Sequence, residues 1–184
     1  MKPIIVPVNF SACSADAARY AVSLAEAIKA DVYLLHVIQI PVASAELSMT
    51  EDLYNQVFEL ADKSLKEMQE ELRRRNNNRV EVHTELLTGS ITACVAEWCN
   101  KLDPELIILG VTGPTFEKFL TGSPVNALLH LRRPILVVPE GTVFHPYRLI
   151  ALACDETDIN RGVPHSIPLL KALLECFHAK IDIV

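Results

Sequence analysis

The sequence predicts an α/β protein, a three-layer sandwich whose core is a five-stranded parallel sheet. Short apolar, β-branched runs alternate with longer segments of helical period, which is the pattern of consecutive β-α-β units. None of the apolar runs approaches the roughly 20 residues that a membrane-spanning helix needs. The 184 residues are 50% hydrophobic and 22% charged, a composition typical of globular chains and not of disordered ones.

The first unit is a strand, a helix and a second strand. Ile4–Val8 is short, apolar and β-branched, so it is expected to be a buried strand. Ser14 is expected to cap a helix whose small apolar face runs to Ile28. The next strand is Asp31–Ile38. A strand–helix–strand order implies that the two strands are parallel.

A long helix and an edge strand follow. Ser48 and Glu51 have capping-box spacing, and the helical period continues to near Arg73. The basic run from Arg73 to Arg79 suits a helix C-terminus, where positive charge is favoured. Residues 80–87 alternate in the manner of a strand near a sheet edge.

The remaining elements of the sheet are shorter. Ser90 is expected to cap a third helix, which ends at Asp103. Residues 105–110 form the fourth strand, a short helix is expected around 125–131, and Ile135–Val138 forms the fifth strand.

An internal repeat divides the chain into residues 1–141 and residues 142–184. Ile150–Asp155 matches the opening strand in length and apolar character, and Ala179–Val184 matches the second strand. The spacing from the end of the first strand to the start of the second is 21 residues in the first copy, from Asn9 to Ala30, and 24 residues in the second, from Asp155 to Ala179. The second copy is incomplete. Because a β-α-β fragment cannot bury its own faces, it must dock on the first domain, dock on another chain, or be part of a longer tandem protein.

Composition and motif content exclude several functions. The net charge of −6 is unsuited to a dedicated binder of nucleic acid or of an anionic membrane. Five cysteines without CxxC spacing indicate reduced thiols and a cytoplasmic protein. The histidines lack metal-ligand spacing, and the sequence has no P-loop, no nucleophile elbow and no dinucleotide fingerprint. No catalytic residue and no metal ligand are therefore assigned.

The carboxyl ends of the strands form the candidate site. In an open parallel sheet, ligands bind beyond these ends, at the point where the strand order reverses. The first, second and fourth strands end near Asn9, Val37 and Thr112, and these ends converge if the first and fourth strands flank that point. Gly122 and Ser123 follow at a predicted helix N-terminus, where amide groups favour an anion such as phosphate.

Three local motifs, in the same order along the chain, resemble the universal stress protein family. They are the opening Ile-Ile-Val-Pro-Val-Asn-Phe-Ser, the Leu34–Val37 strand, and the run from Gly110 to Pro139. The last is similar to the family's G-x2-G-x9-G-[ST] nucleotide signature and its closing strand. The resemblance covers about residues 2–140, and the second copy resembles tandem members. It implies an adenine-nucleotide α-hydrolase-like fold, related to the Rossmann fold.

The resemblance also implies a function and a set of site residues. Family members with the full signature bind ATP or a related adenine nucleotide, for which Mg²⁺ is an optional companion here, and act in stress response or signalling. They pair as homodimers, or within a tandem chain, through the last strand of the sheet. The base and ribose would lie at the ends of the first two strands, and the phosphates on the glycine-bearing segments. The implied nucleotide-binding residues are Pro7, Val8, Asn9, Val37, Gly110, Thr112, Gly113, Gly122, Ser123, Pro124 and Val125.

A second hypothesis is a nucleotide-free interaction or structural protein of the same fold that works through dimerisation. Asn9 stands where ATP-binding members usually have Asp, and the gap between Gly113 and Gly122 is eight residues instead of nine. Pro124 has no N–H to donate to a phosphate. Under the nucleotide-binding hypothesis any ATP hydrolysis is expected to be slow, because no positioned general base or catalytic lysine is evident.

Overall fold

The computed structural model describes residues 2–39, 51–112, 128, 131, 133–153 and 166–184. The strands of the main sheet are β1 (Ile4–Val8), β2 (Val32–Ile38), β3 (Val82–Thr88), β4 (Leu106–Val111) and β5 (Ile135–Pro139). Its helices are α1 (Ala12–Ile28), α2 (Glu51–Arg75) and α3 (Ile91–Leu102). A second unit consists of β6 (Leu149–Leu152), α4 (Ile167–Phe177) and β7 (Lys180–Ile183).

The main sheet has the strand order β3-β2-β1-β4-β5, and all of its pairings are parallel. From β1 the chain adds strands on one side as far as β3 and then crosses to the other side with β4. The reversal point therefore lies between β1 and β4, which meets the condition for the predicted strand ends to converge. The edge position predicted for β3 is also confirmed.

Alternate residues of the strands point to opposite faces of the sheet, so each face has its own core. On one face, Ile4 and Val6 pack with the small residues of α1 and with Leu65 of α2. On the other face, Ile5 and Ile107 pack with residues of α3 and with Leu128. Full burial of such aliphatic side chains stabilises the fold by about 1.5–3 kcal/mol each. The predicted three-layer sandwich is confirmed.

The start of α1 differs from the prediction, because the N-cap is Ser11 and not Ser14. The side chain of Ser11 accepts a hydrogen bond from the backbone N–H of Ser14 at 3.4 Å. Ser14 lies inside the first helical turn, where its hydroxyl donates to the carbonyl of Ser11 at 3.0 Å. Phe10, the middle one of the three residues between β1 and α1, has a φ of 63°, so the chain turns there through the left-handed region before the helix begins at Ala12.

Other differences are confined to element ends. β2 begins at Val32, β3 begins at Val82, and α2 continues to Arg75. Ser90 occupies the N-cap position of α3, but its side chain makes no capping hydrogen bond. Ser48 of the predicted capping box lies outside the described residues. Of the helix predicted around 125–131, the structure describes Leu128, which is helical, and a residue at 131.

The second unit docks on the first through α1. Leu169, Leu173 and Phe177 of α4 pack against the core on the α1 face. The hydroxyl of Tyr147 lies 2.8 Å from that of Tyr20. Of the three arrangements expected for residues 142–184, the structure shows docking on the first domain. None of the described helices is both long enough and apolar enough to cross a membrane.

Candidate functional site

The register between β1 and β4 stops short of the carboxyl ends of the two strands, and the region between these ends is called the crevice below. The register between these strands has two residue pairs, Ile4–Leu106 and Ile5–Ile107, whereas β1 and β2 pair along the whole of β1. The backbone N–H of Ile4 donates to Asp31 on the β2 side. Because successive residues of a strand face alternate neighbours, the nitrogen of Pro7 faces β4, where it has no proton to donate. Pro7 therefore explains why the β1–β4 ladder ends early.

Gly110 forms a wall of this crevice by allowing α1 to approach β4. A Cβ atom on Gly110 would lie 2.1 Å from the carbonyl oxygen of Cys13 and 2.9 Å from the backbone nitrogen of Ser14. No side chain fits in this space. The first turn of α1 therefore rests on the backbone of β4, and the amide groups of its N-terminus lie at the carboxyl edge of the sheet, where they favour negative charge.

Asn9 follows the last residue of β1 and is exposed. Its Oδ1 accepts two hydrogen bonds from the N-cap residue, from the backbone N–H of Ser11 at 3.2 Å and from its hydroxyl at 2.5 Å. The backbone N–H of Asn9 is directed at the hydroxyl of Ser14 at 3.4 Å. These bonds join the end of β1 to the start of α1 and fix the orientation of the Asn9 side chain.

An aromatic pair that the sequence analysis did not identify lies beside Asn9. The imidazole of His36 is 4.3 Å from the ring of Phe10, measured between centroids. His36 Nδ1 lies 2.7 Å from the carbonyl oxygen of Val8. A carbonyl can only accept, so Nδ1 is the protonated nitrogen in this contact. The sequence held one signal for this pair, because His36 immediately precedes Val37, a predicted site residue. The conformation of Phe10 could not be predicted from the sequence.

The structure brings the predicted residues of the first, second and fourth strands to one edge. Val8 pairs with His36, so Val37 lies at the level of Asn9. Gly110 of β4 pairs with Val138 of β5, and Thr112 follows the end of β4. The remaining predicted residues lie outside the described ones; these are Gly113, Gly122, Ser123, Pro124 and Val125.

Thiols and metal ligands add little to this site. Burial raises the pKa of the Cys94 and Cys99 thiols, which are on α3. Cys13 is buried in the first turn of α1, with its sulfur 3.1 Å from the Ser11 hydroxyl. Within the described ranges, no three histidine, cysteine, aspartate or glutamate residues are grouped in a way that could hold a metal ion.

The sheet order and the crevice define a class of protein: an open parallel α/β protein whose ligand site lies where the strand order reverses. The model of the universal stress protein family matches residues 1–139. A universal stress protein of Methanocaldococcus jannaschii is 30% identical over an alignment of 144 positions, which covers 74% of this chain and 81% of that protein. The chain belongs to the universal stress protein family.

Solved structures agree on the fold. A universal stress protein from Archaeoglobus fulgidus in complex with dAMP matches with a TM-score of 0.54 and 18% identity, over 74% of this chain and 97% of that chain. A different match to a universal stress protein from Archaeoglobus fulgidus has a TM-score of 0.74 and 17% identity, over 98% of this chain and 65% of that chain. At these identities the likeness establishes the fold alone.

Proposed function

We propose that this chain is a stress-response or signalling module that binds ATP or another adenine nucleotide at the crevice between β1 and β4. The observation that carries the proposal is the early end of the β1–β4 register at Pro7, beside the N-terminus of α1. The base and ribose would lie beside Asn9 and Val37. The phosphates, with any Mg²⁺, would lie toward Gly110, Thr112 and the segment from Gly113 to Val125. The dAMP complex of the structural neighbour supports this class of ligand.

The proposed module binds its nucleotide without strong catalysis. The proposal assigns to the strand ends side chains that are amide, hydroxyl or aliphatic; they belong to Pro7, Val8, Asn9, Val37 and Thr112. A carboxylate or a lysine is the group that phosphoryl transfer would use as base or electrostatic partner. We therefore expect at most slow ATP hydrolysis.

We also propose a cytoplasmic location, on the basis of the reduced thiols that the cysteine spacing indicates.

A thermal shift assay tests the binding. A nucleotide present at about one hundred times its dissociation constant stabilises the folded state by about 2.7 kcal/mol, so ATP with Mg²⁺ should raise the melting temperature clearly. Thr112→Trp should block the crevice and abolish the shift. Thr88→Trp is the matched control, because Thr88 also ends a strand but lies two strands away from β1. No shift in the wild type would contradict the proposal.

The nucleotide-free alternative keeps specific support. The missing side chain of Gly110 is explained by the packing of α1, and the acceptor of Asn9 is used by Ser11. Both features therefore have structural reasons that need no ligand. On this alternative the module works through dimerisation only, and ATP leaves the melting temperature unchanged.

We also propose self-association through the edge of β5, in either version of the function. The backbone N–H of Ile107 donates to the carbonyl of Pro134, and that of Glu140 donates to the carbonyl of Val111. Between 134 and 140, the backbone N–H and C=O groups of even-numbered residues therefore point toward β4. The N–H of Val137 therefore points outward, where a second copy could pair with it. Val137→Pro removes this donor and spares the ladder to β4.

Light scattering at micromolar concentration measures the effect. We expect a dimer for the wild type and a monomer for Val137→Pro. Thr84→Pro is the matched control, since Thr84 has an outward-facing N–H on the opposite edge strand, β3. A monomeric wild type, or equal effects of the two substitutions, would count against pairing through β5.

We propose that residues 142–184 are a second, incomplete copy of the domain, as in tandem members. The strand registers support this assignment: Ile4 pairs with Val32 in the first unit, and Ile150 pairs with Ile181 in the second. In each unit a helix joins two parallel strands. The structural match that extends over 98% of the chain supports the same reading. Expression of residues 1–141 alone tests it, because a complete domain should fold and retain the ATP-induced shift.

A further inference from the structure

The backbone carbonyl of Val82 points outward from the edge of the main sheet. The N–H of Val32 in β2 donates to the carbonyl of Glu81, and successive residues of a strand direct their backbone groups to opposite sides. The groups of Glu81 therefore face β2, and those of Val82 face away from it. Val82 is nevertheless 0% exposed, although β3 is the last strand on its side of the sheet. Its cover therefore comes from side chains and not from another strand.

Two polar side chains of α2 lie over this outward carbonyl. Gln69 Nε2 donates to the oxygen of Val82 at 2.6 Å, and Arg73 Nη2 donates to the same oxygen at 2.8 Å. The two donors are four residues apart on α2, so they stand on one face of the helix, a turn from each other. Because a carbonyl oxygen has two lone pairs, both are used by these bonds.

Charge reinforces the cover at this end of β3. The Arg73 nitrogen that bonds the Val82 carbonyl also lies 3.8 Å from a carboxylate oxygen of Glu81, which holds the guanidinium over the strand. Charged side chains on an edge strand oppose its pairing with other chains. At the far end of β3, the sulfur of Cys94 lies 3.7 Å from the carbonyl oxygen of Thr88. Both ends of this edge therefore have side-chain contacts on their outward carbonyls.

We propose that Gln69 and Arg73 close the edge of β3 against pairing with a strand of another molecule, such as a second copy of this chain. A paired strand must donate an N–H to the outward carbonyls of β3, and the carbonyl of Val82 has no lone pair left for it. Of the two edges of the main sheet, β5 is therefore the one that remains for pairing. Association through one edge ends at a closed pair, whereas two open edges permit open-ended chains. The inference concerns β3 and holds whether or not β5 pairs.

Removal of both donors tests the proposal, with the mass measured by light scattering. Gln69→Ala/Arg73→Ala opens the edge of β3, so each particle gains a surface that pairs. We expect its mass at the same micromolar concentration to be at least about twofold that of the wild type. Lys63→Ala/Glu67→Ala is the matched control, because these residues have the same spacing on α2 and form an exposed ion pair. The control should keep the mass of the wild type.

A third substitution shows which edge pairs in the opened variant. Thr84→Pro removes an outward N–H of β3 at an edge position that tolerates proline, so it should return the mass to the wild-type value. Val137→Pro acts on β5 and should leave the opened variant able to pair through β3. An association that survives Thr84→Pro overturns the proposal. A monomeric wild type whose opened variant dimerises contradicts pairing through β5 and leaves the role of α2 standing.

Melting temperatures establish that each variant is folded at the temperature of measurement. A folded Gln69→Ala/Arg73→Ala variant with the mass of the wild type overturns the proposal. If the double variant unfolds, the two single variants decide instead. Each of them frees one lone pair of the Val82 carbonyl and should raise the mass in the same direction, and an unchanged mass in both overturns the proposal equally.

Discussion

The two β-α-β units of this chain pair their strands alike but bury them very differently. Leu34 of β2 is 0% exposed, whereas Ile183 of β7, at the matching register, is 67% exposed. In the first unit, α2 and β3 lie beyond β2, and Leu65 and Leu72 of α2 belong to the same core as Leu34. A strand–helix–strand unit can thus form its own ladder, but its burial comes from the elements that follow.

The opposite face of the second unit has a different character. Ile5 and Tyr33 are neighbours in register on the face that α3 covers in the first unit. Their counterparts in the second unit are Ala151 and Asp182. A carboxylate replaces an aromatic ring, so this face of the second unit is suited to water and not to a packed helix.

Closing the space between α1 and β4 should destabilise the fold strongly. Gly110→Ala places a Cβ against the backbone of Cys13, and backbone cannot move aside cheaply. We expect the free energy of unfolding in urea to fall by about 3 kcal/mol. Gly141→Ala is the control: Gly141 has a φ of 78° but no atom within 4 Å of the added Cβ, so strain alone should cost about 1 kcal/mol. Equal losses would refute the packing role of Gly110.

The burial difference between the units can be tested directly. Leu34→Ala creates a cavity under α1 and α2 and should lower the unfolding free energy by about 2–5 kcal/mol. Ile183→Ala removes atoms that are already in water and should change it by less than about 0.5 kcal/mol. Chemical denaturation of the two variants gives both values. A large loss for Ile183→Ala would mean that this face is covered in solution.

Docking of the second unit on α1 depends in part on the Tyr20–Tyr147 hydroxyl pair. Tyr147→Phe should cost about 1 kcal/mol at neutral pH. Burial raises the pKa of the Tyr147 hydroxyl above its ordinary value near 10. The stability linked to the neutral hydroxyl is therefore complete below about pH 10 and is lost as the pH rises further. Tyr147→Phe should show a shallower alkaline loss, and an unchanged profile would contradict the burial of this hydroxyl.

The smallest effect is expected at the amino edge of the main sheet, which has an exposed ion-pair cluster. Hydrogen bonds from Lys2 and then Arg133 hold the pKa of Asp103 below its ordinary value. The cluster's contribution is present above about pH 4 and is lost as the pH falls through the lowered pKa. Asp103→Asn should therefore lower the melting temperature slightly at neutral pH. The difference should vanish in acid and in 1 M salt, and a difference that persists there would rule out an electrostatic origin.

The sequence was sufficient for the fold because hydrophobic runs mark buried strands directly. β1 and α3 have the predicted limits, and the order of all the elements follows from their alternation. The start of α1 could not be predicted in the same way. Ser11 and Ser14 are both suitable caps, and the choice between them depends on the positive φ of Phe10.

The site was predictable to the level of strand ends but not of atoms. Asn9, Val37 and Thr112 meet at one edge because parallel strands end together. The register of the sheet determines which neighbouring strand the nitrogen of Pro7 faces. The hydrogen bonds with Ser11 determine the direction of the Asn9 amide. Both are tertiary facts that residue types alone do not determine.

The central claim is that a nucleotide binds at the carboxyl ends of β1 and β4, and amide NMR of the full chain tests it most directly. On addition of ATP with Mg²⁺, we expect chemical shift changes at Asn9, through the first turn of α1, and at Val111 and Thr112. The groove of about 380 Å³ beside β3, lined by Tyr33, His83 and Trp98 among others, should show none. Changes confined to that groove, or no changes at all, would contradict the claim.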